Sequence, residues 1–108
     1  MLEEQKEMDV YESRRFEKAL GKLSESQLKI VEDEIENILD NPELGELKKG
    51  DLSHIRVHKF KMDTQQVLLG YSWVEDKIEI YLLHLGPHEN FYKKASAQRK
   101  VDLRLIKP

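Results

Sequence analysis

Apolar residues recur with helical spacing in the first half of the chain and with strand-like spacing in the second. Phe16, Leu20 and Leu23 lie at i, i+4 and i+7, which predicts a short amphipathic helix. A second stripe predicts a longer helix and consists of Leu28, Val31, Ile35 and Ile38. Ser24 begins a capping-box pattern before it, and Pro42 ends it because the residue before a proline disfavours the α conformation. The two helices are predicted to form a hairpin.

Three runs of β-forming residues follow, over His54–Met62, Val67–Val74 and Ile78–Leu85. Short turns separate them, so consecutive strands are expected to pair antiparallel. The run Val67–Val74 is nearly all apolar or aromatic, which is typical of a central strand buried on both faces. The segments Asp9–Glu12 and Val101–Ile106 are compatible with one further short strand at each end of the domain.

The predicted fold class is α+β, with an N-terminal helical hairpin packed on one face of a small antiparallel sheet. The 108 residues fit a single domain, in which residues 1–9 form a frayed or additional N-terminal segment. Pro87 is predicted to be the first residue of a short helix after the last long strand. No helix remains to cover the second face of the sheet, so the functional surface is expected there.

The net charge of -3 is unevenly distributed along the chain. Residues 1–47 carry six Lys/Arg against fourteen Asp/Glu, and residues 48–108 carry twelve against seven. A basic half that also holds all four histidines suits a polyanion such as nucleic acid, although an acidic helical layer beside a mildly basic sheet would have the same composition. Cysteine is absent and no export signal is evident, which favours a cytoplasmic location.

The segment Gly86–Lys94 has the densest group of residues that could carry chemistry. On a helix that begins at Pro87, His88 and Tyr92 would stand four apart on one face. Cleavage of RNA by its own 2′-hydroxyl needs proton transfer near neutral pH, which histidine can supply. A tyrosine can stack on a base or donate a hydrogen bond to a phosphate. Alternatively, His88 caps the helix and Tyr92 is a half-buried packing residue.

Lys59 and Lys61 lie two apart in the first long strand and should point to the same face of the sheet. Two adjacent ammonium groups could bind a phosphate, or they could simply protect an edge strand from aggregation. His54 and His58 would be roughly 13 Å apart along the same strand, too far to share one metal ion. We therefore expect no metal site and no cofactor.

From Val10 to Lys94 the sequence resembles the RelE/ParE toxin superfamily. The resemblance follows the order helical hairpin, Gly50-Asp51-Leu52, His58-Lys59-Phe60-Lys61-Met62, and a meander ending in Leu85-Gly86-Pro87-His88-Glu89-Asn90-Phe91-Tyr92. It implies a toxin of a type II toxin–antitoxin system that a protein antitoxin holds silent. RelE-like members cut mRNA in the ribosomal A site without a metal.

The resemblance also implies the site. Lys59 and Lys61 match the basic strand positions, His88 the acid/base position and Tyr92 the tyrosine, so these four are the expected catalytic residues. The expected substrate-binding residues are Arg56, His58, Glu89, Asn90, Lys93 and Lys94. One departure is that no arginine occurs between Gln65 and Trp73, where RelE-like enzymes usually have one.

Two other functions share this fold. A ParE-like protein would inhibit DNA gyrase by binding, without cutting RNA, and the missing strand arginine favours that interpretation. A non-toxic relative would act only as a binding partner.

Overall fold

A computed structural model describes residues 7–106 and shows a five-stranded sheet with helices on both faces. The strands lie in the order β1-β5-β4-β3-β2, in which β1 pairs parallel to β5 and the other neighbours are antiparallel. Two short 3-10 helices, Gly50–Leu52 and Glu75–Lys77, interrupt the connections. The main elements in chain order are β1 (Asp9–Glu12), α1 (Arg14–Gly21), α2 (Glu25–Asp40), β2 (Glu46–Leu47), β3 (Arg56–Met62), β4 (Gln65–Val74), β5 (Glu79–Pro87), α3 (Phe91–Ala97) and α4 (Arg99–Ile106).

The α+β class and the helical hairpin are confirmed. Ser13 caps α1 by accepting a hydrogen bond from the backbone N–H of Phe16. Ser24 and Gln27 form the reciprocal capping box at the start of α2, which satisfies backbone donors that a helix start otherwise leaves without partners. The helix ends at Asp40, before the Asn41-Pro42 pair.

The hairpin packs on one face of the sheet, which we call the hairpin face. Side chains of β3, β4 and β5 alternate between the two faces. The buried core of the hairpin face consists of Phe16, Val31, Ile38, Phe60, Val67, Leu69, Tyr71, Ile80 and Leu82. Both faces of β4 are buried from Val67 to Ser72, as the apolar run predicts.

The prediction that the second face lacks helices is wrong. A second core lies there and consists of Leu52, Ile55, Val57, Leu68, Tyr81, Leu83, Phe91 and Ala95. Phe91 and Ala95 belong to α3, and Ile106 of α4 packs against the same core. Lys59 and Lys61, toward the end of β3, remain exposed on this face.

The C-terminal segment is a helix, and the prediction of a closing strand is also wrong. Alternation of Val101, Leu103 and Leu105 with polar residues suggested strand spacing, but Val101 and Leu105 are exposed in α4. The residue that α4 buries most fully is Asp102, which binds His84. A helix usually buries its apolar residues, but here the buried position is a carboxylate and two apolar residues are exposed. The spacing of apolar residues therefore did not indicate a helix.

Two further boundaries differ from expectation. Pro87 is the last residue of β5, and α3 begins only at Phe91, after Asn90 adopts the left-handed conformation (φ 64°). Asp9–Glu12 is indeed a strand, but it pairs parallel to β5. Of the predicted N-terminal segment, residues 1–6 lie outside the described part of the chain.

Candidate nucleic-acid interface

Lys59 and Lys61 are exposed on the second face of the sheet. In β3, Val57 belongs to the core of that face, whereas Phe60 belongs to the core of the hairpin face. Since side chains alternate along a strand, Lys59 and Lys61 point to the same side as Val57. Both are largely solvent-accessible.

His88 and Tyr92 lie where β5 leaves the sheet and α3 begins. Their rings meet edge to face, with 5.8 Å between centroids and 76° between planes. His88 is exposed and Tyr92 is half-buried, with its ring against that of the buried Phe91 (5.3 Å). Tyr92 is thus fixed by packing, and the imidazole of His88 remains open to solvent.

The strand register brings the two pairs of residues to one surface. Lys59 is opposite Leu68, which is opposite Gly86 in β5. Two strand spacings, roughly 10 Å, separate the backbone of β3 at the lysines from that of the β5 end. His88 lies two residues beyond Gly86. Gly86 adds no side chain to this surface, and the side chain of Leu68 in β4 lies between the two pairs. We call Lys59, Lys61, His88 and Tyr92 the basic patch.

Lys48 is a further cation beside this patch that the sequence did not reveal. Its Nζ lies 5.3 Å from the ring centroid of Tyr92 and 3.0 Å from Oε1 of Glu46. The hydrogen bond to Glu46 raises the pKa of Lys48 and lowers the pKa of Glu46. Lys48 follows strand β2, which has only two residues, too few for a periodic pattern that would point to Lys48.

Arg56 and His58 do not belong to the same surface as Lys59 and Lys61, which corrects their assignment to one binding site. Arg56 and His58 lie four and two residues before Phe60 in β3, so their side chains point, like that of Phe60, to the hairpin face. Arg56 donates a hydrogen bond to the carbonyl of Gly45 (2.9 Å). His58 binds the carboxylate of Glu34 in α2 (2.7 Å). Both side chains are engaged in holding the sheet to its neighbouring segments.

The other predicted substrate-binding residues surround the start of α3. Glu89, Asn90, Lys93 and Lys94 are all exposed. Asn90 precedes the helix and makes no capping hydrogen bond with its side chain. Glu89 and Lys94 line a cleft beside β5 rather than the basic patch itself.

His84 and Asp102 form a buried pair beneath this region. Nε2 of His84 lies 2.7 Å from Oδ2 of Asp102, and both residues are 3% exposed. Nδ1 of His84 has no hydrogen-bond partner among the described residues. Within residues 7–106, no three side chains of the metal-binding types lie close enough to hold an ion.

The chain matches the family described as ParE-like toxin of type II bacterial toxin-antitoxin system over residues 10–96. It belongs to this family, within the RelE/ParE superfamily that the sequence resembles, and is a toxin of the type II class. No match was found among curated proteins.

Solved structures of Escherichia coli RelE have the same fold. A RelE variant in the free state is 16% identical, with a TM-score of 0.66 over 87% of this chain and 97% of the RelE chain. A chain of the intact E. coli RelBE toxin–antitoxin complex is 16% identical, with a TM-score of 0.61 over 75% of this chain and 96% of that chain. At this identity the likeness concerns the fold. No helix within residues 7–106 is long and apolar enough to cross a membrane.

Proposed function

We propose that this toxin is a metal-independent endoribonuclease that cleaves ribosome-bound mRNA and so inhibits translation. The observation that carries the proposal is the basic patch: two unpaired lysines, an exposed imidazole and an aromatic ring on one open part of the sheet. Neither Lys59 nor Lys61 has an ion-pair partner among residues 7–106. Such a surface is complementary to a phosphodiester next to an unstacked base.

Each residue has a role in the proposed reaction. The 2′-hydroxyl of the RNA attacks the adjacent phosphorus, and the bond to the 5′-oxygen of the next nucleotide breaks. His88 transfers a proton, either from the 2′-hydroxyl or to the leaving oxygen, because histidine is the side chain that most often acts as a general acid or base. Lys59 and Lys61 stabilise the negative charge that develops on the phosphate. Tyr92 stacks on a base and fixes its position.

We infer a cognate antitoxin as the second partner. E. coli RelE is found in complex with the antitoxin RelB, and the family description names a toxin–antitoxin system. A chain that covers the second face of this sheet would mask Lys59 and Lys61. We expect bound antitoxin to block access of RNA to the basic patch.

Cleavage of mRNA on programmed ribosomes tests the proposal. We expect purified toxin to cut the transcript, and His88→Ala and Lys61→Ala each to lower the rate about 100-fold or more, as is typical when a proton-transfer or charge-stabilising group is lost. Lys77→Ala, an exposed lysine in the β4–β5 turn, serves as the matched control and should retain activity. If the His88→Ala Lys61→Ala double variant cleaves like the wild type, the proposed site is wrong.

A second candidate function is inhibition of DNA gyrase by binding, as in ParE. It is favoured by the family description and by the absence of arginine from β4. A supercoiling assay run beside the ribosome assay separates the two functions. Inhibition of supercoiling by a toxin that leaves mRNA intact would replace the first proposal with the second.

A further inference from the structure

A small cleft opens beside the basic patch, on the other side of the β5 end. It has a volume of about 80 Å³. Three elements contribute to it: α1, β5 and α3. The lining residues are Arg15, His84, Leu85, Gly86, Pro87, Glu89, Phe91 and Lys94. We call it the α1–α3 cleft.

The edge of β5 is unpaired where the cleft lies. Strand β1 pairs with Glu79–Leu82 only, whereas β5 continues to Pro87. Past Leu83, whose carbonyl accepts from the hydroxyl of Ser13, no strand within residues 7–106 covers this side of β5. Backbone polar groups on an open strand edge need hydrogen-bond partners, so this edge is suited to a polar ligand.

Two cations from separate elements converge on the cleft. Arg15 comes from α1 and Lys94 from α3, and neither forms an ion pair within residues 7–106. Glu89 is the only acidic residue in the lining. The three exposed charged side chains of the lining together carry one net positive charge, and the buried carboxylate of Asp102 lies behind His84.

The wall of the cleft contains an imidazole that is ready to make one more hydrogen bond. His84 is 3% exposed, and Asp102 holds its Nε2 at 2.7 Å. Its Nδ1 is buried without a partner. The carboxylate of Asp102 can only accept, so Nε2 carries the proton and Nδ1 is left as an unsatisfied acceptor. A water that donates a hydrogen bond to Nδ1 would therefore be stabilised there.

We infer that the α1–α3 cleft binds a backbone phosphate of the substrate RNA, next to the phosphate that is cleaved. Gly86 borders both the cleft and the basic patch, so a single strand can pass over the β5 end from one to the other. Arg15 and Lys94 contact the phosphate, and a water on the wall donates one hydrogen bond to Nδ1 of His84 and the other to a phosphate oxygen. This inference rests on the proposed RNA cleavage and adds to it a second phosphate subsite.

A cycle that combines protein variants with neutral RNA linkages tests the inference. A set of ribosome-bound mRNAs is prepared in which each mRNA carries a single uncharged methylphosphonate. Within the set, the methylphosphonate occupies in turn each of the two linkages on either side of the cleaved bond. At one of these positions the wild-type toxin should lose about 10- to 100-fold in kcat/KM, the effect of losing a charge-assisted contact. The Arg15→Gln Lys94→Gln double variant should show a similar loss with unmodified RNA and no further loss at that linkage, because coupled contacts are not additive.

The Arg14→Gln Lys100→Gln double variant is the matched control. It removes the same charge from neighbouring exposed positions of α1 and α4 outside the cleft lining, so it should remain sensitive to the neutral linkage. The subsite is ruled out if, at every position of the neutral linkage, the fold-loss in kcat/KM of the cleft variant multiplies with that of the linkage, as independent effects would. It is also ruled out if the control variant behaves like the cleft variant. Absence of cleavage by wild-type toxin overturns the proposed function and the subsite together, an outcome distinct from the first two.

Discussion

Nε2 of His84 in β5 lies 2.7 Å from Oδ2 of Asp102 in α4, and each side chain is 4% exposed. This bond joins the C-terminal helix to the sheet at a point where apolar contacts are few. The neighbouring Val101 and Leu105 face solvent, and Ile106 is the apolar residue of α4 that packs against the second core. The position of α4 therefore depends on a polar contact.

Asp102→Ala should destabilise the protein by about 2–3 kcal/mol, since it removes a buried hydrogen bond to a charged group and leaves His84 without a partner. The free energy of unfolding in urea measures the effect. Asp33→Ala removes a carboxylate from the exposed pair with Lys29 and should hardly move the urea midpoint. Equal midpoints for Asp102→Ala and the wild type would show that the buried pair does not hold α4.

Tyr71→Phe should cost about 1–3 kcal/mol of stability. The fully buried hydroxyl accepts a hydrogen bond from the N–H of Gly45 (2.8 Å) and donates one to the carbonyl of Pro42 (2.7 Å). Phenylalanine would leave these backbone groups without their partner. Thermal unfolding compared with Tyr11→Phe, an exposed tyrosine, gives the measurement. A loss no larger than that of the control would contradict the assigned role of the hydroxyl.

His54 should make the protein less stable in mild acid. Burial lowers the pKa of His54, Arg99 and His84 lower it further, and Asp102 opposes the shift. Because the folded pKa lies below the unfolded value of about 6.5, the unfolded chain takes up more protons as the pH falls. The contribution of His54 to stability is thus complete above about pH 6.5 and is lost as the pH falls toward the folded pKa.

Urea unfolding at several pH values between about 7.5 and 5.5 checks this sign. The His54→Gln variant should lose less stability than the wild type across the interval. Parallel curves for the two proteins would mean that the imidazole of His54 titrates alike in the folded and unfolded states.

Tyr92→Phe should separate the stacking role of the ring from hydrogen bonding by its hydroxyl. The ring packs against Phe91 and lies under Lys48, so phenylalanine preserves both contacts. We expect at most a few-fold rise in KM for mRNA cleavage with Tyr92→Phe. Tyr92→Leu should cost about 1–3 kcal/mol of binding, the usual value of one base stacked on an aromatic ring. An equal loss in both variants would assign the role to the hydroxyl instead.

Local signals in the sequence predicted the helical hairpin and the meander. The capping box of Ser24 with Gln27 and the alternation along β3 depend on neighbouring residues, so spacing alone is informative. The same alternation predicts that Lys59 and Lys61 share a face. Applied to Arg56, it also shows that this residue belongs to the opposite face, which the resemblance had obscured.

What the sequence did not reveal depends on contacts between distant segments. Asp102 is polar and yet buried, because His84, eighteen positions earlier, supplies its partner. Lys48 lies near Tyr92 because the two-residue strand β2 before it pairs with β3. Arg15 reaches the cleft from helix α1 in the N-terminal half. No periodic pattern encodes such pairs, so only the tertiary structure brings them together.

The parallel pairing of β1 with β5 has a consequence for the synthesis of the toxin. Ser13, at the junction of β1 and α1, bonds to Leu83, which lies 70 positions later. The first strand therefore has no partner until the last strand has been made, and closing so long a loop slows folding relative to local contacts. A nascent chain of this protein carries both lysines of the basic patch before its sheet can be completed. The finished surface, and any harm it does to the cell, arises only after β5 has been synthesised.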